Sequence, residues 1–317
     1  MLVSIEVCGD HWINQHSVLD LLKQSASTDK KIMLDFNSEG PSFNLLGLTE
    51  LINSYGIDPD RVCILRFPNT LELLPYRRVD LHIKSHFWSM SKQYSNDELL
   101  PWTKENKFSL FLGRRSIARC AIMYDMYHEF GSSTLLSLME DQNQLPWDND
   151  TTSGVNYESA DQFITDTIAT WWENVPVTSI DNKAVNHQYI KDATTNRDLL
   201  QFYNQFAVEL VCETCTLGET FFVTEKTVRP IAACKPMIVY GPKNYLANLR
   251  KLGFKTWGSL WDEDYDNYSG IDRWQLIKTQ LHYLQNMTDI DFATANEAAV
   301  EICLYNKKVL DRLIGTL

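Results

Sequence analysis

The segment at residues 205–254 constrains this chain more than any other. An apolar run at residues 206–211 reads as a buried strand, and an acidic, glycine-containing turn follows it. The next piece, FFVTEKTVRPIAAC, reads as a helix with Thr224 as its N-cap and Glu225 in its first turn. Lys235-Pro236 is expected to end that helix, because proline cannot continue it. PMIVYG then reads as a second buried strand and NYLANLRKLGF as an amphipathic helix. Strand, turn, helix, strand, helix predicts an α/β fold with a parallel sheet.

In such a sheet, ligands bind outside the carboxyl ends of the strands, near helix N-termini. Glu213 follows the first strand, and Thr224, Glu225 and Lys226 open the next helix. A helix N-terminus offers backbone N–H groups and a positive dipole, which suit a diphosphate. Lys226 adds a point charge, and a carboxylate can accept hydrogen bonds from ribose hydroxyls. An equally simple reading is a capped helix with surface charges. Arg229, one turn after Glu225, faces either the same ligand or solvent. Lys243, in the Gly-Pro-Lys-Asn turn, has the same standing.

This arrangement resembles the donor-nucleotide motif of the α1,3-fucosyltransferases. Cys212-Glu213-Thr214 stands where that family has Phe-Glu-Asn-Ser, so Thr214 replaces the asparagine. Phe222-Val223-Thr224-Glu225-Lys226 stands for Tyr-(Val/Ile)-Thr-Glu-Lys, and residues 236–241, PMIVYG, for the Pro-Val-(Ile/Val)-x-Gly strand. The resemblance implies a GT-B fold: two Rossmann-like domains with parallel sheets facing across a cleft, the nucleotide sugar held by the second.

The 317 residues suggest two domains. Strands expected at residues 2–7, 31–36, 61–66 and 79–83 alternate with helices at 18–24 and 45–55 to give a first α/β domain. The stretch at residues 85–106 loses strand periodicity and reads as the crossing, which sets the domains at residues 1–103 and 104–317. A hydrophobic content of 44% supplies ample core material, and a net charge of −12 argues against long-range attraction to nucleic acid or an anionic membrane. No apolar run is long enough for a membrane span, and MLVSIEVCGD reads as a first strand rather than a signal peptide, so a cytoplasmic protein is expected. The seven scattered cysteines suit reduced, buried thiols. The single pair Cys212-x-x-Cys215 lacks the further ligands of a structural zinc site.

In the first domain, Ser38-Glu39-Gly40-Pro41 directly follows a candidate strand and should lie at the carboxyl edge of its sheet. Alone it is a turn sequence. The fucosyltransferases carry Gly-Glu-Asn followed by Pro-x-Phe here, and that resemblance makes Glu39 the candidate general base. Asp35 and Asp10 are fallback candidates, and His11 and His16 could touch the acceptor.

The second domain opens with a strand at residues 108–112, a turn at Gly113-Arg114-Arg115-Ser116, and a helix at 117–127. In the family, an arginine on the first turn of this helix binds the donor diphosphate. Arg119 matches it in register, with Arg114 and Arg115 as neighbours. Guanidinium suits the role because it binds phosphate oxygens bidentately and keeps its charge. Asp148-Asn149-Asp150 and Asp262-Glu263-Asp264 look like Asp-x-Asp metal motifs but sit in acidic loops, so no metal is expected and cations would stabilise the leaving diphosphate. An amphipathic helix is expected at 159–173, and the apolar spacing after residue 272 predicts two long terminal helices.

The implied function is that of an inverting, metal-independent glycosyltransferase. It moves a sugar from a nucleoside-diphosphate sugar, GDP-fucose by resemblance, to a hydroxyl of a glycan or other acceptor, with no cofactor. Two alternatives stand beside it: a glycosyltransferase of another donor acting on hydroxylated DNA bases, and a non-catalytic nucleotide- or glycan-binding module.

Overall fold

The computed structural model describes residues 1–8, 11–12, 14–36, 43, 46–65, 74–79, 106–112, 117–138, 202–214, 216 and 221–315. The first unit begins with β1 (Leu2–Ile5) and a short antiparallel pair, β2 (Val7–Cys8) and β3 (His11–Trp12). There follow α1 (Gln15–Ala26), β4 (Ile32–Phe36), α2 (Leu48–Ser54), β5 (Val62–Leu65) and β6 (Arg77–Val79). All neighbours in the sheet β1-β4-β5-β6 run parallel.

Three of the expected strands appear as β1, β4 and β5. The fourth is displaced: β6 starts at Arg77, and residues 80–83 lie outside the described residues. Its two arginines hide it from hydrophobic patterning, yet an edge strand tolerates charge. Because the strands add in sequence order, right-handed crossovers send α1 and α2 to the same face. Val18, Leu22, Leu48 and Ile52 accordingly share one core with Val3, Ile5, Ile32, Leu34, Val62 and Ile64.

The second unit runs β7 (Asn106–Leu112), α3 (Ile117–Phe130), β8 (Thr134–Leu138), β9 (Phe206–Cys212), α4 (Glu225–Ala232), β10 (Met237–Tyr240) and α5 (Tyr245–Lys251). It closes with α6 (Gly270–Gln285) and the 27-residue α7 (Asp289–Gly315). The sheet order is β8-β7-β9-β10, again all parallel. Among the described residues the fold is thus α/β with two four-stranded parallel sheets. The strand β8 escaped sequence reading because TLLSL is a short run lodged between a helical pattern and a polar stretch of sequence. The expected helix at 159–173 lies outside the described residues. No helix among the described residues is long and apolar enough to cross a membrane.

In this second sheet the order reverses between β7 and β9. The connection β7–α3–β8 moves one way along the sheet and β9–α4–β10 the other, so right-handed crossovers place α3 and α4 on opposite faces. Their N-termini both open at the carboxyl edge, where the two central strands diverge. Every residue of β9 is buried, as a central strand covered on both sides requires.

Helix α4 is shorter than expected. Pro230 sits inside it, and the helix ends at Ala232 rather than at Lys235-Pro236. Cys234 adopts φ 53°, and the Lys235 amide donates to the Pro230 carbonyl at 2.8 Å while the Cys234 amide donates to Ile231 at 3.2 Å. This is a Schellman stop with cysteine in the left-handed position that glycine usually takes. Lys235 then points inward, with 4% of its surface exposed, and its Nζ donates to the Phe206 carbonyl at 3.0 Å. Burial lowers its pKa from 10.5 to about 8.

The unfolded chain therefore binds a proton between about pH 8 and 10.5 that the folded chain does not, and stability rises with pH through that window. Lys235→Met should abolish this component. Chemical denaturation of both proteins at pH 7.5 and pH 10 should show the unaltered chain gaining roughly 2 kcal/mol relative to the variant. Equal pH dependence would refute the burial of this charge.

Candidate functional site

The strand-order reversal sets a topological switch point at the carboxyl ends of β7 and β9, the position where open α/β sheets have the crevice that holds ligands. Arg119, on the first turn of α3, reaches across it. The residue is 6% exposed, and its guanidinium donates through Nη2 to the Glu213 carbonyl at 2.9 Å, just past β9. One arginine thus joins the two strands at the switch point.

Opposite it, Thr224 caps α4 with an extended backbone. Its Oγ1 accepts from the Lys226 amide at 3.2 Å and donates to Glu213 Oε2 at 2.6 Å. Glu213 is 1% exposed and collects further donors. Oε1 accepts from the Thr227 hydroxyl at 2.5 Å, the Tyr245 hydroxyl at 2.7 Å and the Thr224 amide at 3.4 Å. The Thr214 amide donates to Oε2 at 3.3 Å. Burial, then the neighbouring Glu213 charge, pushes the Tyr245 phenol well above its ordinary pKa, so it stays a neutral donor. Burial likewise pushes the Cys212 thiol up to about 12, which leaves it a neutral apolar group.

Lys226 lies at the mouth. Its Nζ donates to Glu225 Oε1 at 2.5 Å, to Thr214 Oγ1 at 3.1 Å and to Thr224 Oγ1 at 3.5 Å. Thr214, the residue at the family's asparagine position, is therefore a partner of the candidate phosphate-binding lysine. The Lys226 and Glu225 side chains are 15% and 26% exposed. Burial opposes ionisation of Glu225, but the Lys226 charge and hydrogen bonds outweigh it and hold the carboxyl below its ordinary range. This depressed pKa contributes stability at neutral pH that is lost as the pH falls through the folded value.

The structure thus brings together Arg119, Glu213, Thr224, Glu225 and Lys226. It gives Glu213 an organising place: the carboxylate expected to meet ribose or sugar hydroxyls is taken up by protein donors. Arg229 is a correction. It faces neither the crevice nor solvent but the interior, where it is 3% exposed and ion-paired with Glu209, itself fully buried. Its Nε donates to the Tyr203 hydroxyl at 2.6 Å, and the guanidinium stacks 5.4 Å from the Phe111 ring centre. The physical reason is helix geometry: at three or four residues from Glu225 and Lys226, Arg229 falls on the stripe of α4 that packs on the sheet.

Glu39, Arg114, Arg115 and Asp10 lie outside the described residues, as does Asp148-Asn149-Asp150. Asp35 is half-buried on β4, His11 lies on β3, and His16 is exposed on α1. Lys243 is half-buried in the turn after β10. The acidic loop at 262–266 is engaged internally. Glu263 accepts from Thr256 Oγ1 at 2.7 Å and the Trp257 amide at 2.8 Å, while Asp266 accepts from the Leu246 and Ala247 amides at 2.8 and 2.9 Å. Asp266 thereby occupies the N-terminus of α5.

Sequence reading missed Thr227 and Tyr245. The i, i+3 spacing of Thr224 and Thr227 is a signal that was present, because it puts both hydroxyls on one helical face. Tyr245 comes from a separate element and carried no local signal.

Tyr245→Phe removes one donor from a buried carboxylate and should cost about 1–3 kcal/mol in equilibrium denaturation. Arg229→Met leaves Glu209 buried without its cation and should cost roughly 3–5 kcal/mol, with the loss reduced in Arg229→Met/Glu209→Leu. A double variant no more stable than the single one would contradict the assigned pairing. Comparison of the chain with protein-family models, with curated proteins and with solved structures finds no match.

Proposed function

We propose that this chain is an inverting, metal-independent glycosyltransferase of GT-B architecture, with a nucleoside-diphosphate sugar as donor and a hydroxyl group of a glycan or other molecule as acceptor. The observation that carries this reading is the convergence of Arg119 and the Thr224-Glu225-Lys226 helix start on one strand-order switch point. The sequence resemblance makes the sugar fucose and the nucleotide GDP.

In this mechanism the acceptor oxygen attacks the anomeric carbon from the face opposite the diphosphate. The new carbon–oxygen bond forms as the bond to phosphate breaks, and the electron pair leaves with the diphosphate. Glu39 takes the acceptor proton as the nucleophile loses it. Arg119, Lys226 and the dipole of α4 stabilise the charge that builds on the leaving group. A phosphate oxygen competes with the Glu225 carboxylate for the Lys226 ammonium, and Glu225 turns to a ribose or sugar hydroxyl. Arg119 meets the diphosphate from its place beside the Glu213 carbonyl. Arg114 and Arg115, two residues or more before the start of α3, supplement it.

Thermal denaturation in the presence of GDP, UDP, CDP, ADP or dTDP, with and without magnesium, tests the reading. A ligand held at about 100 times its Kd should add roughly 2.7 kcal/mol of stability. The expected result is a shift selective for one nucleotide, GDP by resemblance, and unchanged by magnesium. Lys226→Ala should weaken that nucleotide at least tenfold. Glu39→Gln should bind it normally but lose transfer by about 100-fold or more. No shift with any nucleotide would overturn the proposal.

A further inference from the structure

The Lys226 ammonium has three acceptors, and they differ in kind. Nζ donates to Glu225 Oε1 at 2.5 Å, to Thr214 Oγ1 at 3.1 Å and to Thr224 Oγ1 at 3.5 Å. An ammonium carries three N–H groups, so three acceptors fix its orientation. Glu225 is a charged partner on a side chain 26% exposed. The two hydroxyls are neutral, and both threonines are tied to the interior through one atom. Glu213 Oε2 accepts from the Thr224 hydroxyl at 2.6 Å and from the Thr214 amide at 3.3 Å. The Glu213 amide in turn continues the sheet ladder by donating to the Tyr240 carbonyl at 2.9 Å. Of the two hydroxyls, that of Thr224 sits at the outer limit of a hydrogen bond and also accepts from the Lys226 amide at 3.2 Å. Thr214 therefore supplies the firmer neutral hold on the ammonium.

We infer that Thr214 is a positioning residue for Lys226, fixing the ammonium so that the N–H now on Glu225 is the one offered to a diphosphate oxygen. The inference rests on the donor-site reading above and adds to it a residue that acts through the lysine. A phosphate oxygen and the Glu225 carboxylate compete for the same N–H, whereas the threonine hydroxyls keep theirs. The ammonium then changes partner without changing place, and the anion is spared the cost of ordering a free lysine side chain. A hydroxyl anchor also leaves the lysine its full charge, which a second carboxylate at this position would offset. Without the Thr214 hydroxyl, the ammonium is left to Glu225 and the long Thr224 contact, and the ion pair opposes the ligand more strongly.

Two measurements test it. The first needs no ligand. In the chain carrying isotope-labelled lysine, the proton–nitrogen spectrum of the ammonium groups should contain a slowly exchanging Lys226 signal, identified by its loss in Lys226→Ala. That signal should persist in Thr214→Ser and be lost to water exchange in Thr214→Val. Its absence from the unaltered chain, or its survival unchanged in Thr214→Val, overturns the inference. The second is calorimetric titration with inorganic pyrophosphate, which presents the diphosphate without a base. Thr214→Val should weaken binding by about tenfold, as expected for loss of a hydrogen bond to a charged group, and Thr214→Ser should restore it. In a Lys226→Ala background the same Thr214→Val change should have no further effect, a non-additivity that a merely structural threonine would not produce. If Thr214→Val fails to fold, Thr214→Ala takes its place in both measurements. Unchanged affinity in Thr214→Val, with Lys226→Ala still weakened, overturns the inference and leaves the donor site standing. No binding of pyrophosphate by the unaltered chain overturns both.

Discussion

A buried carboxylate holds the second unit's crevice together. Placing an ionised group such as Glu213 away from water costs several kcal/mol unless its oxygens are satisfied. Here the donors come from the end of β9, the start of α4 and the start of α5. The same residue's carbonyl receives Arg119 from α3. Four segments remote in sequence thus have their relative positions set by one side chain and its own peptide group. The N-terminus of α4, with Lys226 at its mouth, can shift little without stranding one of these donors.

Two further buried charges repeat the principle. Glu209, four residues earlier on β9 and so on the same face, holds Arg229 and Tyr203. Arg273 on α6 is fully buried and donates to the Val239 and Pro242 carbonyls as well as to Asp266. Asp266 in turn caps α5. Such pairs add little net stability compared with apolar packing, but they are intolerant of displacement. Their distribution ties α4, α5 and α6 to the two strands that flank the crevice on the β10 side. Lys107 closes the opposite end of the sheet by donating to the last carbonyls of α6 and to Met287.

The two sheets differ in one topological respect with large consequences. Strands added in order, as in β1-β4-β5-β6, put successive crossovers on one face and leave no switch point among the described strands. The reversal in β8-β7-β9-β10 puts crossovers on both faces and opens a crevice between the central pair. The same handedness rule therefore accounts both for the placement of α1 and α2 on one face of the first sheet and for the switch point of the second.

Local chemistry was legible in the chain itself. The N-cap at Thr224, the buried runs of β9 and β10 and the α/β alternation follow from side-chain hydroxyls, apolar content and the 3.6-residue period, which act within a few residues. So do the helices α3 and α7 and the neighbourhood of Glu225 and Lys226. What depends on contacts between distant segments was not legible. Strand order, and with it the switch point, arises from pairing between β7 and β9 across some 90 intervening residues. The inward turn of Arg229 follows from which stripe of α4 meets Glu209. The service of Tyr245 to Glu213 joins residues 32 apart. Even β6, with its two arginines, is a strand only because β5 offers it an edge. Propensity assigns each segment a conformation, whereas burial of charge and the pairing of backbone donors decide which segments meet.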